Sequence, residues 1–309
     1  MALQKFPITM FDVFFLSYDE PNAEKNWADL LDKCPWAKRV HGVKGFDAAH
    51  RACAEQSETD WFVTVDADNI VLPEFFDQEV ELDPELHKNR CFSWNALNMM
   101  NGLMYGNGGL KLWSKNFAIN MKSHELSEDK DAVDFCWEED YKQVHKTFSE
   151  VHNNGSPYQA FRVGFREGIK LALDRGQRVK PELMKSVLHN VNLRNLRIWS
   201  SVGGDIEHGL WAIYGTRLGW LKACDMNYDI TGIRDYDWFN AYWADEIAPQ
   251  FYVDRATGKR RSENEALFFL EQEIKSLGAF LKQTTKIAVP FLDADASEFF
   301  RDTFKFRND

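Results

Sequence analysis

The sequence lacks the features that mark membrane-spanning, disulfide-rich and zinc-binding proteins. No apolar run is long enough to cross a bilayer, and the first residues, Met-Ala-Leu-Gln-Lys-Phe-Pro, contain no apolar signal core. The five cysteines (34, 53, 91, 136 and 224) are odd in number, scattered and never in a C-x-x-C motif. This usage argues against a disulfide framework or a zinc site and favours a reducing compartment. We therefore expect a cytoplasmic protein without membrane contact.

The chain as a whole also lacks an excess of positive charge, but one segment has such an excess. The net charge is −11, which argues against a general polyanion binder. Residues 158–200 nevertheless contain nine Arg and Lys against three acids, a local charge of +6 that leaves −17 for the rest. An acidic body with one basic segment suggests a localised anionic ligand.

Alternating strand and helix patterns in the first hundred residues predict an α/β fold. Apolar runs at 10–17, 37–43 and 61–65 are typical of buried strands, and helical spacing at 23–33 and 46–56 separates them. This order indicates parallel strands joined by right-handed crossovers. Two further strands are expected at 91–98 and 111–113, and a long amphipathic helix at 263–283.

Two carboxylates, Asp66 and Asp68, directly follow the strand that begins at Trp61. Ligands of open α/β sheets collect just beyond the carboxyl ends of the strands. A D-x-D there offers oxygen ligands to a hard divalent cation, which in turn can hold a diphosphate. The competing interpretation is an Asp-rich turn that only terminates the strand.

Three further segments contain candidate functional residues. The loop 105–109 is rich in glycine, which permits either a tight turn or a close approach of a ligand to the backbone. The acidic triplet Glu138-Glu139-Asp140 suits either catalysis or a solvated surface. Ser156 with Gln159 three residues later predicts a capping box, with Pro157 at the first position of a helix over 157–173. Arg162, Arg166 and Lys170 form a basic stripe along that helix.

These motifs together resemble the GT-A glycosyltransferases. The run from Lys44 to His50, followed by a helix and the stretch from Trp61 to Asp68, is similar to the nucleotide-binding half of that family. The stretch His152-Asn153-Asn154-Gly155-Ser156-Pro157 resembles the glycosyltransferase domain of collagen lysyl hydroxylases. The phrase Ser-Pro-Tyr-Gln-Ala-Phe-Arg-x-Gly-Phe-Arg-Glu-Gly, residues 156–168, resembles phage-encoded GT-A enzymes.

The resemblance implies a fold and a division of the chain. We expect a GT-A (Rossmann-like) α/β fold, with a mixed, mostly parallel sheet flanked by helices and a helical C-terminal extension. Residues 1–220 would form the nucleotide-sugar-binding and catalytic domain. Residues 221–309, rich in aromatic side chains, would pack on it as an extension. If a phage encodes the protein, its location is the cytoplasm of the host.

The resemblance also implies roles for individual residues. Asp66, Asp68 and His152 would bind Mn²⁺ or Mg²⁺, and Glu138, Glu139 and Asp140 would be the catalytic residues. Contacts to the nucleotide-sugar donor are expected from a larger set: Ser17, Tyr18, Asp19, Lys44, Asp47, Asp66, Gly108, Gly109, Asn154, Gly155, Arg162 and Arg166.

The function that the resemblance implies is transfer of a sugar from a nucleoside diphosphate sugar, in the expected case a UDP-sugar, to a hydroxyl acceptor. The phage-like phrase suggests 5-hydroxymethylcytosine or a related hypermodified base in phage DNA as acceptor, whereas the negative net charge favours a glycan or a protein hydroxyl. A D-x-D phosphatase, with Asp66 as nucleophile, is a different class of enzyme that fits the same motif. A non-catalytic binding module on a GT-A scaffold is the third hypothesis.

Overall fold

The computed structural model describes residues 3–106, 108–128, 133 and 140–305. The chain divides into two compact units, Met1–His152 and Asn153–Asp309. The boundary expected near residue 220 lies inside a helix of the second unit, Gly209–Cys224. Among the described helices, none combines the length and the apolar character needed to cross a membrane.

The described part of the first unit contains ten strands and three α-helices. Its strands are β1 (Gln4–Pro7), β2 (Asp12–Ser17), β3 (Lys38–His41), β4 (Trp61–Asp66), β5 (Asn69–Val71), β6 (Glu79–Leu82), β7 (Cys91–Asn98), β8 (Met104–Tyr105), β9 (Lys111–Ser114) and β10 (Tyr141–Val151). Its helices are α1 (Ala23–Lys33), α2 (Phe46–Gln56) and α3 (Lys115–Asn120).

Eight of these strands form a mixed sheet in the order β3-β2-β4-β9-β7-β10-β5, with β8 beside β7. Strand β2 is parallel to β3 and β4, and β10 is parallel to β7. The expected mixed sheet is confirmed. The other four pairings are antiparallel, so the finer expectation of a mostly parallel sheet is not met. The cause is that β5, β8 and β9 each run against every strand they pair with.

Alternation along β2 places helices on both faces of this sheet. Val13 and Phe15 pack in one apolar cluster with Leu30 of α1. Phe14 and Leu16 point to the opposite face and pack with Cys53 of α2. Because successive side chains of a strand point to opposite faces, a continuous apolar run is typical of a strand buried on both sides.

The second unit is mainly helical. Its elements are α4 (Pro157–Leu171), β11 (Leu173–Asp174), β12 (Gln177–Arg178), α5 (Met184–Val187), α6 (Asn190–Trp199), α7 (Gly209–Cys224), α8 (Tyr236–Tyr242), α9 (Ala248–Tyr252), α10 (Glu263–Thr285) and α11 (Ala294–Lys305). Ser156 caps α4 as expected, with its Oγ accepting a hydrogen bond from Gln159 N at 3.1 Å.

Helix α7 is the centre of the second unit, because it is buried on nearly all sides. Four glycines, Gly164 and Gly168 of α4 and Gly215 and Gly219 of α7, let the backbones of these two helices touch. A Cβ atom at any of them would overlap the main chain of the facing helix.

Candidate functional site

Five strands of the eight-stranded sheet (β2, β3, β4, β7 and β10) point the same way, so their carboxyl ends share one edge. The residues at or directly after these ends are Ser17, His41, Asp66, Asn98 and His152. All five have polar or charged side chains. Because ligands of α/β sheets bind beyond the carboxyl ends of strands, this carboxyl edge is the candidate site.

Asp66 and Asp68 lie in the turn between β4 and β5. Ala67 between them is buried, and its carbonyl accepts a 2.8 Å hydrogen bond from Asn26 Nδ2 of α1. Asn69 Nδ2 donates to Asp68 Oδ1 at 2.7 Å. The turn is therefore anchored from inside, while both aspartates remain half-buried and reachable from solvent.

His152 lies beside this turn, although 84 positions separate it from Asp68 along the chain. Strand β5 pairs antiparallel with the end of β10, with Asn69 opposite Val151. The next residue, His152, donates its backbone N–H to Asp68 O at 2.7 Å, and its own carbonyl accepts from Asn22 Nδ2 at 2.8 Å. The structure thus brings together the two segments that the sequence nominated as metal ligands.

Glu150 is a site residue that sequence reasoning missed. It precedes His152 by two positions, so both side chains lie on one face of the strand. His152 Nε2 is 3.2 Å from Glu150 Oε2, and about a third of each side chain is exposed. The period-2 spacing of Glu150 and His152 would have indicated this pair, had the strand itself been recognised.

The donor set at this corner suits a hard or borderline divalent cation, since carboxylate oxygens and an imidazole nitrogen bind such ions. However, the side chains do not converge on one point. Within the described part of the chain, no group of three His, Cys, Asp or Glu side chains is arranged to hold one ion. Asp68 bonds to Asn69 and His152 to Glu150 instead, so side-chain rotation would have to precede joint coordination of a metal.

The glycine-rich loop packs directly against Asp66. A Cβ atom on Gly109 would overlap the Cβ and carboxylate of Asp66, and one on Gly108 would overlap the side chain of Ala96. Asn69 Oδ1 accepts from Gly109 N at 3.4 Å and from Ser149 Oγ at 3.2 Å. These glycines are therefore required by contacts within the protein.

A buried lysine and a buried histidine lie behind the same loop. Lys111 Nζ donates to Gly108 O at 2.8 Å. Burial lowers the pKa of His50 to about 4; the charge of Asp66 opposes that shift and the charge of Lys111 adds to it. Both charges therefore act on the His50 ring, and neither residue was predicted from the sequence to lie near Asp66.

The loop after β2 was expected to contact the donor nucleotide. Ser17 Oγ lies 2.9 Å from His41 Nδ1 and accepts a 2.9 Å hydrogen bond from Arg39 Nε. Tyr18 N donates to Glu20 Oε2 at 2.7 Å, and Asp19 is exposed. Sequence reasoning missed Arg39 and His41, which follow from the parallel pairing of β3 with β2.

Asp47 has a structural role rather than the expected contact with the donor. Its side chain is fully buried, and its carboxylate accepts hydrogen bonds from Ser123 N and Oγ, His124 N and Leu126 N. The carboxylate of Glu125 in the same loop accepts from Asp47 N and Ala48 N at the start of α2. Lys44, two residues before α2, is exposed.

The remaining donor-binding candidates belong to the second unit. Asn154 Nδ2 donates to Glu207 O at 3.0 Å, and Gly155 N donates to Gln159 Oε1 at 2.8 Å. Both residues are therefore already used within the start of α4 and its neighbouring loop.

The basic stripe of α4 is also bonded within its own unit. The Arg162 guanidinium lies 4.2 Å from the centroid of the Tyr236 ring, and Lys170 Nζ is 3.2 Å from Glu167 Oε1. Arg166, between them, is half-buried. The stripe is thus less available to an anion than its sequence suggested.

Of the three catalytic candidates, Glu138 and Glu139 lie outside the described residues. Asp140 directly precedes β10, and its carbonyl accepts from Cys91 N at the first residue of β7. It therefore lies at the amino end of an eleven-residue strand whose carboxyl end reaches His152. Since a strand rises about 3.3 Å per residue, Asp140 is on the order of 30 Å from Asp68. Asp140 is therefore remote from the carboxyl edge, and its catalytic role stays a prediction.

Comparison with known proteins gives no family for this chain. No family model matches it, and no curated protein matches its sequence. The inference of function therefore rests on the geometry of the carboxyl edge.

Proposed function

We propose that this chain is a metal-dependent glycosyltransferase of the GT-A class, which transfers a sugar from a nucleoside diphosphate sugar, in the expected case a UDP-sugar, to a hydroxyl acceptor. The observation that carries the proposal is the 2.7 Å hydrogen bond from His152 N to Asp68 O. It places an imidazole and two carboxylates at the end of the central strand β4, where an α/β sheet binds its ligand.

The residues of the carboxyl edge divide into those that would bind a metal and those that would bind the donor. Asp66, Asp68 and His152 would hold Mn²⁺ or Mg²⁺, whose charge would stabilise the diphosphate leaving group. Glu150 would orient His152, as carboxylates commonly orient metal-binding imidazoles. Ser17, held by Arg39 and His41, would contact the nucleoside.

For the acceptor we propose the hydroxymethyl group of 5-hydroxymethylcytosine or a related base in phage DNA, on the resemblance of residues 156–168 alone. A glycan or a protein hydroxyl is the alternative, favoured by the net charge of −11 and by the bonding of Arg162 and Lys170 within their own unit. Duplex DNA would also have to present its base outside the stack.

The experiment offers the purified protein a panel of UDP-sugars with Mn²⁺ and measures release of UDP. Hydroxymethylated DNA, unmodified DNA and a glycan are then added separately, and products are identified by mass spectrometry. We expect manganese-dependent UDP release from one donor and a mass increase of one sugar on one acceptor. A phosphatase would instead release phosphate from p-nitrophenyl phosphate, and a binding module would bind UDP without turnover.

The decisive variant is Asp68→Asn, which removes a charge without changing the size of the side chain. We expect turnover to fall by at least about a hundredfold, because loss of a residue that only orients a metal ligand costs about 10–100-fold, and loss of a ligand should cost more. Asp77→Asn, the same change at an exposed aspartate of the same unit, should leave turnover unchanged. Full activity in Asp68→Asn, with the fold intact by thermal denaturation, would overturn the metal-dependent mechanism.

A further inference from the structure

A cavity of about 420 Å³ opens in the second unit, and none of the candidate site residues lines it. One wall is a face of α6, the other is α11, and Pro290 and Leu292 close one end. Its apolar lining is made by Leu193, Ile198, Val202, Leu292, Phe300 and Phe304. This volume lies within the range of small-molecule sites, about 300–1,000 Å³.

The wall formed by α11 is held in place by polar contacts on its other side. Ser297 Oγ accepts hydrogen bonds from Gly203 N and Gly204 N at 3.3 Å each. Arg301, one turn later, forms an ion pair with Asp205. The cavity is therefore a feature of the packed helices.

A buried hydroxyl lines the cavity without being satisfied by the protein. Ser201 is 4% exposed, and its Oγ has no hydrogen-bond partner in the described part of the chain. Its carbonyl, by contrast, accepts from Leu292 N. Because a buried polar atom without a partner is costly, the Ser201 hydroxyl is a polar position in the cavity wall that is still able to take a hydrogen-bond partner.

Two arginines on α6 give the cavity a positive rim. The Arg194 guanidinium is oriented by Asn195 Oδ1, 3.2 Å from both Nε and Nη2, and lies 5.9 Å from the centroid of Phe304. Arg197, three positions later, is exposed and has no carboxylate within ion-pair distance among the residues that the structure describes. Arginine binds carboxylates and phosphates through paired N–H groups.

We propose that this cavity binds one small amphipathic anion. Its carboxylate, phosphate or sulfonate head would pair with Arg194 and Arg197, and its aromatic or short aliphatic body would pack between Phe300, Phe304 and α6. Ser201 Oγ would hydrogen-bond to a polar atom of the buried part. The site is independent of the carboxyl edge, since no residue is shared.

The test uses two fluorescent probes that differ only in charge. We expect 8-anilinonaphthalene-1-sulfonate to bind the full chain with one-to-one stoichiometry, at least about tenfold more tightly than the neutral N-phenyl-1-naphthylamine. Arg197→Gln should remove that difference by weakening the sulfonate alone. Lys185→Gln, at an exposed cation of the same unit, should change neither affinity.

Two further variants separate a binding site from a structural feature. Leu193→Trp, which fills the cavity, should exclude both probes while the melting temperature is retained. Ser201→Ala should weaken both probes, which share an N–H group in the buried part, without lowering stability, because the hydroxyl has no partner to lose in the described protein.

Three results would overturn the proposal. Equal affinity for both probes that persists in Arg197→Gln would show a neutral apolar surface. Several molecules of sulfonate bound per chain would show unspecific adsorption. Dimerisation in sedimentation that Leu193→Trp abolishes would show that a second copy of the chain covers this face.

Discussion

Asp66 packs against the glycine-rich loop, and this contact restricts the movement of both. Gly109 packs against its carboxylate, and Asn69 bonds to Gly109 N and to Asp68 at the same time. Direct contacts therefore hold the two aspartates and the glycine-rich loop together. For this reason Gly109, although it lies in a loop, affects the position of Asp66, a candidate metal ligand.

Gly109→Ala should lower the free energy of unfolding by about 1–3 kcal/mol, as overpacking of a buried site does. Gly106→Ala in the same loop is the control, because its new methyl group would meet only side-chain atoms of Gln143 and Tyr141, which can move. Guanidinium denaturation measures both. Equal free energies of unfolding for the two variants would show that Asp66 can move to accommodate the added methyl group.

His50 makes the stability of the first unit depend on pH. Its ring is 2% exposed, its Nδ1 bonds to Phe46 O at 2.8 Å, and burial lowers its pKa from 6.5 to about 4. The unfolded chain binds a proton on His50 more tightly than the folded chain does. Above pH 6.5 the ring is neutral in both states, and the full free energy of unfolding is present. As the pH falls towards 4, this free energy decreases by about 3 kcal/mol.

The corresponding experiment compares wild type with His50→Gln in urea denaturation at pH 7 and pH 4. We expect wild type to lose about 3 kcal/mol more than the variant between these values. Parallel losses would mean that the ring is hydrated or paired when protonated.

At the scale of elements, the glycines between α4 and α7 set the distance between two helices. The spacing Gly164–Gly168 and Gly215–Gly219 places each pair on one helical face. A Cβ atom on Gly215 would overlap Phe161 O and come within 2.9 Å of Phe165 N. The aromatic side chains of α8 pack on the same helices, with Phe165 near Phe239 and Tyr242. Two aromatic side chains of α8, Phe239 and Tyr242, are therefore part of the core.

Gly215→Ala offers a test in which two effects have opposite signs. Helix propensity alone would stabilise the variant by about 1 kcal/mol. Overlap with the facing backbone should instead destabilise it, by about 1–3 kcal/mol net. Thermal denaturation decides between them, with Arg166→Ala, at a half-buried position of α4, as a control expected to change little. A gain in stability would show that the helices can separate.

At the scale of the whole molecule, the cysteine usage agrees with the packing. Cys34, Cys53, Cys91 and Cys224 are buried free thiols distributed over both units. Burial raises the pKa of Cys34 and of Cys224 to about 12. Since the thiolate is the reactive form, these residues should be inert in the native state.

We therefore expect a Cys136→Ser variant to show no fast reaction with Ellman's reagent in native buffer. The same variant should show four reactive thiols in guanidinium, because unfolding exposes every remaining cysteine. Labelling of one thiol per chain in the native variant would show that one of these four cysteines is not buried in solution.

Several elements of the fold could be predicted from the sequence. Helices α1 and α2 begin and end where the spacing of apolar residues indicated, and β7 spans the expected residues. Ser156 caps α4 through its own side chain, and α10 begins at Glu263, where the sequence predicted it. These features succeeded because they depend on neighbours within about one turn of helix or along one strand.

Strand β10, helix α6 and the contacts within the candidate site could not be predicted from the sequence and are known only from the tertiary structure. Strand β10 mixes polar and apolar residues and shifts register twice against β7, so its sequence lacks the alternation of apolar residues that would predict a strand. Its pairing with β7 and β5 makes it a strand, and places Glu150 and His152 beside Asp68.

The sequence by itself therefore determined which chemical groups end the strands. Which of these groups meet was decided by the order of strands in the sheet, because pairing joins residues that lie far apart in the chain. Asp68 and His152 are neighbours for that reason, and Asp140 is remote for the same reason, since it precedes the strand that His152 follows.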